Sequence, residues 1–236
     1  STENEKKGDV VQSGFCSAKM QWHCEPGRWD PKPGSIEGHG GGWEIDDSGA
    51  TLILRPDSKK DFWRKTYYTP LLIKDDGPIF CVPGVPANRR LTMETCFQLN
   101  AVKQFDQAGL MVRWDSTRWI KTGIEFVDGE PKLSCVVTNG FSDWSTQPWH
   151  TLKLHIRISQ MGDGSYVVEA RDPESSNKDL QFIRIAQLQC GPDSESELTK
   201  PILLGVFGCC PTEQAGCSIT FSDFSITGGT KFAHHA

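Results

Sequence analysis

The sequence contains no long apolar run. Its longest candidates, such as residues 202–207, fall far short of the ~20 residues that a membrane-spanning helix requires. It also lacks a sustained charge of one sign, because 30 acidic and 25 basic residues are scattered along the chain and leave a net charge of −5. A phosphate backbone is attracted by a continuous positive field. We therefore expect neither a membrane nor a nucleic acid as a partner.

Several familiar motifs are absent as well. Helical periodicity is confined to one possible turn at residues 194–198, which excludes a helical bundle. There is no Gly-x-Ser-x-Gly elbow, no P-loop and no glycine-rich dinucleotide fingerprint, so three large classes of enzyme drop out. The polar residues 1–9 contain no apolar segment of a secretory signal.

The cysteines show no metal-binding pattern. No Cys-x-x-Cys or Cys/His cluster has zinc spacing, so we predict no metal and no cofactor. An odd number of cysteines cannot all pair within one chain. We predict mostly free thiols in a reducing compartment, the cytoplasm, with the adjacent Cys209 and Cys210 as the first candidates for an exception. The nine cysteines are residues 16, 24, 81, 96, 135, 190, 209, 210 and 217.

What the sequence does contain is alternation with period two, the pattern of strands with one buried face. Residues 91–99 and 152–159 alternate apolar and polar side chains. Between them, residues 108–114, 118–126 and 132–138 form a predicted three-stranded meander, whose second turn holds Asp128-Gly129. Further predicted strands bring the count to about ten, with a β-bulge at Ser222-Asp223. These further strands are residues 10–22, 51–55, 62–68, 166–171, 182–187, 202–207 and 217–226.

The pattern indicates an all-β sandwich or barrel in one domain. We predict that this domain covers residues 10–230, with flexible ends at 1–9 and 231–236. Two stretches rich in glycine and proline, residues 31–42 and 77–86, are interpreted as long loops because strand-like sequence flanks both.

Three segments carry candidate site chemistry. In the strand 118–126, Trp119, Lys121, Gly123 and Glu125 share the face opposite the predicted core, with the glycine making room between the charges. The second segment combines an acid, indole, guanidinium and phenol groups, and the third combines a carboxylate with an indole. Sugars present an apolar ring face and a rim of hydroxyls, which such side chains can bind. The second segment contains Asp61, Trp63, Arg64 and Tyr68, and the third contains Asp143 and Trp144.

Residues 106–113 and 119–129 resemble the signature of an uncharacterised family of concanavalin A-like proteins. Further similar segments are residues 61–68, 136–144 and 216–226, so that the resemblance covers most of the chain from 15 to 226. That family includes a fungal protein named for regulation of enolase. The resemblance implies a jelly-roll sandwich of two curved antiparallel sheets, whose concave face holds carbohydrate in related lectins and glucanases.

Three functions stay open at this point. The first is carbohydrate binding by a lectin-like groove; its predicted ligand-binding residues are Trp63, Arg64, Tyr68, Trp119, Lys121, Glu125, Asp143 and Trp144. The second is regulation of a metabolic enzyme such as enolase, which the family resemblance suggests. The third is a glycoside hydrolase: the alternating acids of a glucanase strand are missing, but Glu125 could act with Asp61 or Asp143. We expect a non-enzyme rather than an enzyme.

Overall fold

The structure, a computed structural model, describes residues 9–16, 19–23, 42–188, 194–212 and 216–233. Within these ranges it has one short helix, α1 (Ser194–Leu198), where the sequence predicts a single helical turn. The other regular elements are seventeen strands: β1 (Val10–Ser13), β2 (Gln21–His23), β3 (Gly42–Ile45), β4 (Leu52–Arg55), β5 (Phe62–Arg64), β6 (Ile73–Asp75), β7 (Ile79–Pro86), β8 (Leu91–Asn100), β9 (Gln107–Asp115), β10 (Arg118–Val127), β11 (Glu130–Asn139), β12 (Ser142–Pro148), β13 (Lys153–Gln160), β14 (Ser165–Arg171), β15 (Gln181–Gln187), β16 (Pro201–Cys209) and β17 (Ser218–Gly228).

Two antiparallel sheets contain most of these strands. The eight-stranded sheet has the order β15-β14-β13-β8-β17-β4-β3, with β1 also paired to β17. The seven-stranded sheet has the order β12-β11-β10-β9-β16-β7-β2, and β5 and β6 form a separate hairpin. The chain crosses from one layer to the other several times, as between β8 and β9. The architecture is the all-β, concanavalin A-like jelly-roll sandwich that the sequence predicts.

The main core lies between the two sheets and is built from alternate side chains of each strand. β8 contributes every second residue from Leu91 to Leu99, and β10 contributes Ile120 and Ile124 from the opposite sheet. The side chains of β10 on its other face, the outer face of the seven-stranded sheet, point away from this core. Period-two alternation therefore located the core correctly.

A second, smaller apolar cluster lies on that outer face, beneath the β5-β6 hairpin. The ring of Phe62 packs edge-on against Trp119 of β10 and Phe207 of β16, with centroids 6.2 and 6.4 Å apart. Arg113 of β9 donates two hydrogen bonds to Asp75 of β6, which ties the hairpin to the sheet. The hairpin therefore covers part of a face that would otherwise meet solvent. The buried members of this cluster are Phe62, Ile79, Cys81, Met111, Trp119, Phe207 and Cys209.

The structure gives another reason for a glycine at position 123 than the predicted room between the charges of Lys121 and Glu125. It faces Gly109 directly across β10 and β9. A Cβ atom built on Gly123 would lie 1.9 Å from the carbonyl oxygen of Ala108 and 2.7 Å from the Cα atom of Gly109. The glycine is therefore required by the close approach of these two strands.

The meander and the bulge are confirmed. Strands β9, β10 and β11 pair in sequence, and the turn residues Asp128 and Gly129 have φ angles of 54° and 84°. The pairing of β17 with β8 shifts register between Ser222 and Ser225, and Asp223 has a φ of 53°. Both features place a residue in the left-handed region, where a turn or bulge needs it.

Several predictions about strands are wrong: the described residues form seventeen strands rather than about ten, and the strand predicted at 62–68 ends at Arg64. Residues 77–86 were predicted as a loop, but most of them form β7, whose Gly84 has a φ of 78° at a register shift against β16. Residues 10–22 were predicted as one strand, but they form β1 and β2, which belong to different sheets. Gly14, with a φ of 66°, follows β1 and ends it. The predicted loop at 31–42 lies, apart from Gly42 in β3, outside the described residues.

The seven cysteines in the described residues are free thiols, as the sequence predicts, while Cys24 and Cys190 lie outside those residues. Cys209 and Cys210 are not a pair. Because they are adjacent at the end of β16, Cys209 belongs to the outer cluster and Cys210 to the main core. The described part of the chain contains no helix with the length and apolar content of a membrane span.

Candidate functional site

A cleft of about 690 Å³ opens beside the β5-β6 hairpin. Four of the predicted ligand-binding residues line it: Trp63, Tyr68, Asp143 and Trp144. Its volume lies within the ~300–1,000 Å³ range of small-molecule sites. The remaining lining residues come from the hairpin loop, from the segment before β9, from the β10-β11 turn and from the start of β12. They are Thr66, Tyr67, Gln104, Phe105, Val127, Asp128 and Ser142.

Aromatic rings in perpendicular contact build the walls of the cleft. The indoles of Trp63 and Trp144 meet at 89° with centroids 6.3 Å apart. Tyr68 stands edge-on to Trp63 at 5.9 Å, and Phe105 stands edge-on to Trp144 at 6.5 Å. Edge-to-face contacts of this kind are favourable and hold the rings in defined orientations. The indole N–H of Trp63 also donates to the carbonyl oxygen of Thr66 at 2.9 Å.

Hydrogen bonds fix the polar rim. The amide of Gln104 donates to the Asp128 carboxylate at 2.8 Å and accepts from the Asp128 backbone N–H at 2.9 Å. The backbone N–H of Arg64 donates to the Ser142 hydroxyl at 2.9 Å, which joins the hairpin to β12. Asp143 is exposed and forms an ion pair of 3.1 Å with Arg184 of β15. The rim thus offers carboxylate, amide and hydroxyl groups.

Beneath the cleft, three charged side chains lie together: Lys121 and Glu125 are buried, and the side chain of Asp61 is 15% exposed. The Nζ atom of Lys121 lies 2.9 Å from Oδ1 of Asp61, which also accepts from the Gln107 amide at 3.3 Å. Glu125, on the same face of β10, accepts a hydrogen bond of 2.8 Å from the Ser134 hydroxyl. We call Asp61, Lys121 and Glu125 the buried charge cluster. A buried charge needs such partners, because desolvation strongly disfavours an isolated ion.

Burial shapes the titration of this cluster. It raises the pKa of Glu125 to about 7, although Lys121 and the Ser134 hydroxyl act in the opposite direction. Burial alone would lower the pKa of Lys121, but the charges of Asp61 and Glu125 raise it above its ordinary value. Burial also raises the pKa of Tyr68, with a further contribution from the same two acids. Tyr68 therefore links the cleft electrostatically to the cluster.

A short chain of hydrogen bonds provides a second link. The indole N–H of Trp144 donates to the Ser134 hydroxyl oxygen at 2.9 Å, and that hydroxyl donates to Glu125. One wall of the cleft is thereby held by a carboxyl group that titrates near neutral pH. The position of the Trp144 ring depends on the cluster beneath it.

This arrangement predicts an unusual pH dependence of stability. Because the pKa of Glu125 is about 7 in the folded chain and 4.5 ordinarily, the folded state binds more protons between those values. The contribution of Glu125 to the free energy of unfolding is therefore greatest below pH 4.5 and falls as the pH rises to 7. The change amounts to about 3 kcal/mol. In Glu125→Gln this decline should disappear, as measured by urea unfolding at pH 5, 6, 7 and 8.

Glu130→Gln is the matched control, since Glu130 is exposed, pairs with Lys132, and has a pKa lowered by that neighbour. Its unfolding curves should follow the wild type across the whole series. Parallel pH profiles for wild type and Glu125→Gln would contradict the assignment.

The predicted site residues separate into three groups. Trp63, Tyr68, Asp143 and Trp144 line the cleft, while Asp61, Lys121 and Glu125 lie beneath it. Four of the eight predicted ligand-binding residues do not line the cleft: Lys121 and Glu125 are buried beneath it, and two more lie elsewhere. Trp119 is fully buried in the outer cluster, and Arg64 is half-buried and does not line the cleft. The three candidate catalytic carboxyl groups do not share one environment, because Asp143 is at the surface and paired with Arg184.

Sequence reasoning missed the residues that complete the cleft. Gln104 and Phe105 precede β9 in a segment without periodicity, and Asp128 was recognised only as a turn residue. Phe105 reaches the cleft because it and the next residue, Asp106, exchange backbone hydrogen bonds with Phe126. The nearest signal was the position of Asp128 in a hairpin turn, which places it at one end of the sheet.

Two fungal proteins are among those of similar sequence. The chain is 32% identical over 211 residues to "Regulation of enolase protein 1" of Saccharomyces cerevisiae. This alignment covers 89% of this chain and 93% of that protein. A solved S. cerevisiae structure titled as a functionally unknown protein aligns with a TM-score of 0.70 at 28% identity. That alignment covers 89% of this chain and 96% of the solved one.

More distant solved structures share the fold. The GH43 protein BlXynB of Bacillus licheniformis aligns with a TM-score of 0.60 at 12% identity. The alignment covers 95% of this chain but only 40% of the hydrolase, so the likeness concerns one part of that enzyme and its fold alone. Residues 41–228 match the family described as "Protein of unknown function (DUF1349)", and the chain belongs to this family.

Proposed function

We propose that this chain binds carbohydrate in the cleft. The observation that carries the proposal is the perpendicular pair of Trp63 and Trp144 beside a rim of carboxylate and amide groups. An indole face suits the apolar C–H face of a sugar ring, and the rim suits its hydroxyls. Asp128, Gln104 and Asp143 supply the polar groups of the rim.

The walls support this function because they are already in place. Aromatic contacts and backbone hydrogen bonds hold the rings and the rim, so little ordering is required when a ligand enters. The buried charge cluster lies beneath the cleft and supports its walls. Its Glu125 carboxyl group is buried and its Asp61 carboxyl group is bound to Lys121, which suits a structural role better than acid-base attack on a sugar. The geometry therefore favours binding over hydrolysis.

A glycan array followed by calorimetric titration tests the proposal. Wild-type protein should retain at least one oligosaccharide, and Trp63→Ala should weaken its binding at least about tenfold, since tenfold corresponds to about 1.4 kcal/mol. Phe182→Ala is the matched control, because this half-exposed ring contacts Phe232 at a tilt of 33° and does not line the cleft. Failure of the folded wild type to bind any glycan, or equal losses in the two variants, would refute it.

A second function is favoured by a specific observation, the exposed apolar side chains around the cleft. Tyr67 is 90% exposed, and Leu71, Ile73 and Phe141 are each more than half exposed. Exposed apolar groups that gather on one surface commonly mark a protein contact. Together with the name of the yeast relative, they support an interaction with a metabolic enzyme such as enolase.

The two functions predict that different substitutions weaken enolase binding and glycan binding. If the second holds, enolase added to the purified chain should bind, and Leu71→Ser with Phe141→Ser should weaken that complex while leaving glycan binding intact. Trp63→Ala should do the reverse. Absence of any complex with enolase at micromolar concentrations would remove the second function.

A further inference from the structure

Two thiols and a carboxylate meet at the junction of β16 and β17, outside the cleft. Cys210 follows β16, Cys217 precedes β17, and their Sγ atoms lie 3.0 Å apart. Asp106, in the segment before β9, is the third member: the two sulfurs and a carboxylate oxygen all lie within 4.8 Å of one another. Each of the three residues is at most 2% exposed. They come together only through the fold, since Asp106 is distant from both cysteines along the chain.

The Asp106 carboxylate is only half satisfied. Its Oδ2 atom accepts the backbone N–H groups of Val102 and Lys103, each at 2.8 Å. Its Oδ1 atom is fully buried and has no hydrogen-bond partner among the described residues. Leaving a buried acceptor unsatisfied is costly, and the cost is larger for an ionised group. A carboxylate oxygen of Asp106 lies within 4.8 Å of both sulfurs, so the carboxylate with an unsatisfied oxygen is next to two further potential metal ligands.

The chemistry of this donor set fits zinc. Zn²⁺ is commonly bound by cysteine thiolates and carboxylates, and its tetrahedral sites with three protein ligands take solvent as the fourth. Thiolates on one zinc ion, each about 2.3 Å from it, lie about 3.8 Å apart, so the two sulfurs would separate by less than about 1 Å. A disulfide would need a similar movement in the opposite direction, to about 2.05 Å, and would leave the Asp106 oxygen without a partner.

We propose that Asp106, Cys210 and Cys217 bind a Zn²⁺ ion. On binding, two S–H bonds break, two Zn–S bonds form, and the two protons leave to the buffer; no electron is transferred. The two thiolates balance the charge of the dication without an external anion, and with the Asp106 carboxylate the occupied site carries a net charge of −1. The metal would tie the segment before β9, which carries Gln104 and Phe105 of the cleft wall, to the ends of β16 and β17.

The test uses the whole chain, with Zn²⁺ and Co²⁺ as probes. Native mass spectrometry and elemental analysis should find one zinc per chain after incubation with Zn²⁺, with a dissociation constant below about 1 µM. Replacement by Co²⁺ should give the sulfur-to-cobalt absorption of a thiolate site. Cys217→Ser and Asp106→Asn should each weaken zinc binding at least tenfold. Cys135→Ser should not, because Cys135, a buried thiol of β11, is not among these three donors.

Two results would overturn the proposal. The first is no stoichiometric zinc together with no cobalt-thiolate absorption in the folded wild type, which needs no variant to fold. The second is a mass 2 Da below that of the fully reduced chain, with Cys210 and Cys217 joined in one disulfide-linked peptide. In that case the thiols are consumed by each other and cannot bind a metal.

Discussion

Lys121→Met is expected to lower the free energy of unfolding by about 3–5 kcal/mol, the cost of removing one partner of a buried ion pair. The Lys121 ammonium group lies 2.9 Å from the Asp61 carboxylate and interacts electrostatically with Glu125. Without it, the buried Glu125 and the largely covered Asp61 lose the cation with which both interact. Urea unfolding at pH 7 measures the loss directly.

A neighbouring pair supplies the control. Lys132 on β11 pairs with Glu130, but Glu130 is largely exposed, so Lys132→Met should cost less than about 1 kcal/mol. The double variant Lys121→Met with Asp61→Asn should recover part of the loss, because it removes one of the uncompensated charges. Equal losses for the two lysines would mean that the buried charge cluster does not stabilise the fold.

Trp119→Ala should cost a similar amount, about 3–5 kcal/mol, because the indole is fully buried and its removal leaves a cavity. The ring packs against Phe62, which holds the β5-β6 hairpin on the sheet. Since that hairpin carries one wall of the cleft, the same variant should also weaken glycan binding. Thermal and urea unfolding give the stability loss, and calorimetric titration gives the affinity.

Trp144→Ala separates the two effects, because Trp144 is 38% exposed and lines the cleft. It should reduce binding with a smaller loss of stability than Trp119→Ala. Trp119→Phe should be milder than Trp119→Ala, since it keeps an aromatic ring and the indole N–H has no hydrogen-bond partner among the described residues. A Trp119→Ala protein as stable as the wild type would contradict the role of the outer cluster.

The sandwich was predictable because its signal is local. Alternation along β8 and β10 identifies one buried face without reference to any other strand. β7 was missed for the opposite reason: Pro83 and Gly84 suggest a loop, and only the bulged pairing with β16 accommodates them in a strand. Local composition cannot show that a distant strand will supply the irregular partner.

The site was predictable in part. Trp63 and Trp144 were selected by chemistry, and the fold brings them into contact. Trp119 was assigned to the same surface because it lies on the outer face of β10. The sequence of a strand does not show whether its outer face meets solvent or is covered by a hairpin. Gln104 and Phe105 were missed because their position depends on hydrogen bonds to Phe126, which no periodicity reveals.

Binding at the cleft is tested most directly by NMR of the ¹⁵N-labelled tryptophan side chains. An oligosaccharide retained on the glycan array should shift the indole N–H signals of Trp63 and Trp144 in a saturable way. The signal of the buried Trp119 should move much less. Saturable shifts confined to indoles outside the cleft, or no shift at saturating sugar, would contradict a carbohydrate site between these two rings.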